Sequence, residues 1–173
     1  MKNLLVYYRV VSYVLVGIAV LFSFFDLVFL LMAFAQPSVF LVVFIVTGVI
    51  IYSFASFSFL INGIQYGRQC KPSSKDWIKV NAYVSIAFGA VSLMQGIALL
   101  SDPSKMTIVI KQMYQMQGQV KMPGVSDQEL MATIKGILYV YMSYSLVLLL
   151  HVYTTLRYIK EYAHLFGEKN PQA

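Results

Sequence analysis

Charge is what this sequence has least of. Asp, Glu, Lys and Arg make up 12% of the 173 residues, about half the 25% typical of soluble domains. With 59% hydrophobic residues, the chain has more apolar surface than a water-soluble fold can hide, which excludes an ordinary globular domain. Cysteine is almost absent: Cys70 stands alone, so neither an intrachain disulfide nor a cysteine metal cluster can form. There is no HExxH, no phosphate-binding glycine loop and no pair of carboxylates at helical spacing within the apolar runs. No nucleophile sits with a base, so the expectation is a non-enzyme without a cofactor.

What the chain has instead is four long apolar runs, at about 10–35, 38–61, 81–100 and 134–157. Each meets or nearly meets the roughly 20 residues that cross 30 Å of hydrocarbon as a helix. None shows the ten-residue alternation of a membrane β-strand. β-branched and aromatic residues are plentiful, but lipid demands that each segment satisfy its own backbone, and that favours helix. The first run imitates a signal peptide, with a basic start and an Ala33-Phe34-Ala35 ending. A signal core is about 7–15 residues, whereas this run is longer and contains Asp26, so it reads as a first transmembrane helix. Boundary cues extend the later helices to about 75–100 and 127–166, leaving a loop at about 101–126. The expected fold is one all-α domain over 1–173, an integral membrane protein with four transmembrane helices in a bundle.

The cations orient the chain. Lys2, Arg9, Arg68, Lys71, Lys75, Lys79, Arg157, Lys160 and Lys169 fall on one side, against Lys105, Lys111 and Lys121 on the other, with Lys135 near a helix end. Cytoplasmic loops attract Lys and Arg, so both termini read as cytoplasmic, in a cell inner membrane. The net charge of +6 then reflects topology and attraction to anionic headgroups rather than a nucleic-acid patch. Arg68, Lys71, Lys75 and Lys79 are expected at the headgroups, together with Trp77, whose amphipathic ring suits that level. Pro37 starts the second helix, Ser73 and Ser74 are candidate N-caps of the third, and Ser126 with Glu129 forms a capping box for the fourth. Cys70 reads as an unreactive thiol beside the membrane or as a site of reversible lipidation.

Two polar patterns stand out. On the third helix Ala82, Ser85, Gly89, Ser92 and Gly96 alternate by three and four, forming a small-residue stripe. Such a stripe lets helix backbones approach closely where lipid removes the hydrophobic drive; it suits the inner helix of a bundle or a face between two copies. Asp26 sits alone in the first apolar run, and counting depth at about 1.5 Å per residue brings it level with Thr47, Ser92, Gln95, Ser143 and Tyr144. This layer is either a structural hydrogen-bonded set, a proton- or ion-linked site, or a contact to another subunit. His151 lies about 12 Å deeper by the same count, which argues against its pairing with Asp26 and makes it a hydrogen-bonded packing residue. The interior tyrosines of the fourth helix need hydroxyl partners, and its end tyrosines suit the interface.

The third connection carries Met106, Met113, Met116, Met122 and Met131 in or beside it. Over about 105–117 it reads as an amphipathic helix lying on the outer leaflet or capping the bundle. Thioethers suit copper, but no His or Cys supports a metal here, so an adaptable apolar surface for lipid or a partner is the expectation. With four spans and a carboxylate on the first, the chain resembles the small multidrug transporters, which implies a transporter coupled through Asp26. Those proteins use a glutamate and have shorter chains and compact loops. The leading expectation is an accessory or assembly subunit that interacts with lipid and with another membrane protein or itself. The alternative is a small proton- or ion-coupled transporter or channel subunit.

Overall fold

The computed structural model describes residues 2–116 and 126–167, and every regular element among them is helical. Five α-helices follow in order: α1 (Lys2–Ala35), α2 (Phe40–Ser58), α3 (Pro72–Ser101), α4 (Pro103–Met116) and α5 (Asp127–Glu161). Four of the helical stretches, Leu4–Ala35, Pro37–Gln65, Pro72–Ser101 and Gln128–Glu161, are long and apolar enough to cross a membrane. That is the hallmark of a multi-pass membrane protein. Lys121, Met122 and Lys169 lie outside the described residues, as do the side chains of Met113 and Met116.

Several ends differ from the reading of the sequence, each for a local reason. The first helix begins at Lys2 rather than near residue 10, because Leu4, Val6 and their neighbours continue the helix without a breaker. Between α1 and α2 the expected proline turn is a short 3₁₀ turn, Pro37–Val39. Beyond Ser58 the second span does not stop near 61 but widens into a π-helix, Phe59–Gln65. The third helix starts at Pro72, so Ser73 and Ser74 lie inside its first turn and are not N-caps; proline there gives up an N–H that has no helical partner anyway. The fourth span leaves α geometry at Glu161, and a 3₁₀ turn, Ala163–Phe166, ends at Gly167. Much of the expected loop is the separate helix α4, set off from α3 by Asp102 alone.

Residues group into two compact units, Met1–Phe88 with Val147–Ala173, and Gly89–Leu146. In the first unit α1 packs along α2, and the start of α3 and the end of α5 join them. At Gly48 α2 and α3 approach closely: a Cβ added there would lie 2.6 Å from Val84 Cγ1. Asn81 keeps its amide on its own helix, donating to the Trp77 carbonyl at 2.8 Å. The chain leaves the π-helix through Gly67, whose φ of 62° is a left-handed conformation that costs glycine little. The Cys70 N–H then donates to the Leu165 carbonyl at 2.8 Å, fastening this connection to the turn that follows α5.

The second unit holds the end of α3, all of α4 and the start of α5. Gly96 admits Met142, whose Cγ and Sδ would stand 2.6 Å from an added Cβ. Asp102 caps α4 by accepting from the Ser104 N–H at 2.9 Å and hydroxyl at 2.6 Å. Those donors hold its carboxyl below the usual carboxylate range. On α4, Met106 and Ile110 are buried one turn apart while Ile108 is exposed. Ser126 and Glu129 cap α5 reciprocally: the Ser126 N–H donates to Glu129 Oε2 at 2.9 Å, and the Glu129 N–H donates to Ser126 Oγ at 3.2 Å.

Candidate functional site

Of the residues counted to one depth, the structure joins Asp26 and Thr47 directly. The Thr47 hydroxyl donates to Asp26 Oδ2 at 2.6 Å, so α1 and α2 share the carboxylate. Its other oxygen, Oδ1, is occluded and has no hydrogen-bond partner among the described residues. Ser92 meets Tyr141 instead, oxygen to oxygen at 2.6 Å, one turn from the expected Tyr144. Gln95 and Ser143 are exposed, and Tyr144 is half-buried. The small stripe of α3 is a buried face: Ala82, Ser85, Gly89, Ser92 and Gly96 are all inaccessible. At the headgroup positions Arg68, Lys71 and Trp77 are exposed, while Lys75 and Lys79 are half-buried.

The most completely bonded polar cluster centres on His151, which the depth count set apart. It is fully buried on α5, together with Ser12 of α1, Tyr52 of α2 and Thr155 one turn further along α5. The Ser12 hydroxyl reaches the Tyr8 carbonyl at 2.7 Å, and its oxygen lies 2.8 Å from His151 Nε2. His151 Nδ1 lies 2.7 Å from the Tyr52 oxygen. One ring nitrogen donates and the other accepts, according to the tautomer. Thr155 Oγ1 lies 2.8 Å from the Tyr52 oxygen and 2.9 Å from the His151 carbonyl. Tyr8 lies flat against the imidazole, with ring centroids 4.8 Å apart and planes 13° off parallel. Both ring nitrogens are therefore satisfied, as buried polar groups in lipid require.

The signal for this cluster was only partly present in the sequence. Ser12 and Thr155 fall near the cation-rich ends of their apolar runs and His151 lies toward that end, but Tyr52 lies near the middle of its run. A depth count begun at His151 would have set Ser12 and Tyr52 about 12 Å apart and so would not have gathered the cluster. What such a count cannot supply is helix rotation, the angle that aims each polar group toward or away from its neighbour.

A third feature lies at the same end of the first unit. A cavity of about 470 Å³, partly open to the outside, is lined by Ile51, Ala55 and Phe59 of the second span and by Phe166 and Trp77, with the exposed Arg68 and Lys71 at its rim. Phe59 and Phe166 pack ring on ring at 5.2 Å. Burial pushes the Cys70 thiol, which also lines the cavity, above its ordinary range.

Chemically, the arrangement offers one carboxylate with an unfilled oxygen, one saturated histidine hub and one cavity graded from apolar to cationic. Among the described residues no three His, Cys, Asp or Glu side chains gather as a metal cage. No family model matches the chain, and neither a curated protein nor a solved structure does. Its likeness to the small multidrug transporters stays at four spans and one acid.

Proposed function

We propose that this chain is an accessory or assembly subunit of a membrane complex, joining another membrane protein or further copies of itself. Its four spans form a bundle in a cell inner membrane, with both termini cytoplasmic and the methionine-bearing α4 region on the outer face. The observation that carries this reading is Asp26. A carboxylate in hydrocarbon is expensive and commonly pairs with a group from a neighbouring helix. Here one oxygen has Thr47 and the other has no described partner, while Phe24, Phe25, Leu27 and Val28 around it are all exposed. A second protein covers that exposed apolar face, and a donor from it completes the carboxylate once the side chains that occlude Oδ1 move aside.

Purification of the tagged chain in mild detergent, followed by native electrophoresis and mass spectrometry, tests this. A stoichiometric companion or a defined oligomer is expected from the wild type, and its loss from Asp26→Leu. Recovery of the monomer alone overturns the proposal. The second reading rests on the same carboxylate: a proton- or cation-coupled carrier would use Asp26 with Thr47 as its coupling pair. Proteoliposome flux that Asp26→Asn abolishes would replace the assembly reading with that one.

A further inference from the structure

We infer that the cavity beside Cys70 is a binding site for one acidic phospholipid, with its phosphate at the cationic rim and its upper acyl chain on the apolar floor. The polarity of the walls runs in the order of such a molecule. Ile51 and Ala55 lie a turn apart on α2 and present hydrocarbon; Ser58 and Asn62 continue along the span with hydrogen-bonding groups, and Arg68 and Lys71 complete the rim. No Asp or Glu lines the cavity. Neither Arg68 nor Lys71 forms an ion pair among the described residues. Arg68 is held instead over the Tyr66 ring, at 5.2 Å from its centroid, leaving its guanidinium edges for bidentate contact with a phosphate.

The backbone is shaped to make this space. π-helical turns are rare and concentrate at functional sites, and the one here, Phe59–Gln65, forms part of the floor and wall. The Cys70 N–H bond to the Leu165 carbonyl holds the rim against the turn carrying Phe166. General attraction of surface lysines to a membrane requires no cavity. A concave site with an apolar floor and unpaired cations at one end does more, because it selects a molecule that has both parts. This site is separate from Asp26 and stands whether or not the assembly reading holds.

Trp77 is the only tryptophan in the chain and lines the cavity, so its fluorescence reports this place, where saturation separates a bound lipid from quenching by lipid at large. The purified chain in mild detergent is titrated with phosphatidylglycerol or phosphatidylcholine carrying identical brominated acyl chains, which quench nearby indole. Saturable quenching is expected, with phosphatidylglycerol favoured roughly 20-fold, as two cations imply. Arg68→Gln with Lys71→Gln should erase the preference, and Ala55→Phe, which fills the floor and keeps the charge, should weaken both lipids. Arg68→Lys with Lys71→Arg should retain it and so separates lost binding from misfolding. Equal quenching by the two lipids, an unaltered titration for Ala55→Phe, or full displacement by inorganic phosphate at equal concentration each overturns the assignment.

Discussion

His151 shows how much one side chain can hold when both of its polar atoms are used. Removing it as His151→Ala takes one hydrogen bond from each of the Ser12 and Tyr52 hydroxyls, which keep the Tyr8 carbonyl and Thr155 as partners, and leaves a cavity against the Tyr8 ring. The expected loss is about 3 kcal/mol, from two lost hydrogen bonds and lost volume, read as a lowered thermal midpoint in mild detergent. Tyr52→Phe removes the contacts to His151 and Thr155 and keeps the shape, so about 1 kcal/mol is expected; single hydrogen bonds in membrane proteins average about 0.6 kcal/mol. The two substitutions combined should cost less than their sum, since both break the same contact. A purely additive result would mean that Tyr52 and His151 act separately. From the sequence, Asp26 drew attention as the lone acid in its run, and its pairing with Thr47 was within reach of a depth count. Ser92 with Tyr141 was missed by a single turn, because neighbouring tyrosines on one helix share a depth range but face different ways.

Among the helices, α2 is the most constrained. It meets α1 along its length, approaches α3 at Gly48, supplies Tyr52 to the histidine and ends in the π-helical stretch. Gly48→Val places a side chain where Val84 already stands. We expect a loss of about 1–3 kcal/mol from forced displacement, whereas Gly17→Ala, which would meet nothing within 4 Å, should be near neutral. Thermal unfolding of the two variants side by side checks this, and equal effects would show that α3 has room to move. The apolar runs announced the helices themselves, since period and length are carried by many residues. Their ends were less legible: they depend on one or two backbone bonds, and Pro72 overrode the serines that follow it. The π-helix had no sequence mark, because a widened turn uses the same apolar residues as an ordinary one.

At the scale of the molecule, four membrane-length helices were legible from the four apolar runs, while the division into two compact units was not, for contacts between distant residues leave no local trace. The proposed orientation puts Cys70 on the cytoplasmic side. As the only cysteine, it makes a ready probe: an impermeant maleimide should label it in inside-out vesicles and spare it in intact cells. Burial favours the neutral thiol and raises its pKa, so less thiolate is present at any given pH. Labelling at neutral pH should therefore be slower than for a free cysteine and should keep accelerating as pH rises beyond the usual value of about 8.5. Labelling of intact cells would reverse the topology.

The bond between Ser12 and His151 spans 139 positions of sequence, and that separation has a consequence in time. At a synthesis rate of about 5–20 residues per second, Ser12 is made roughly 7–28 seconds before its partner. Tyr52 waits for a shorter interval, and the wall that Phe166 gives the cavity comes later still. During biogenesis the first two spans must therefore be held without their histidine partner, Ser12 bonded only within its own helix and Tyr52 in contact with water, lipid headgroups or the insertion machinery. Their final seating is the act of the fourth span.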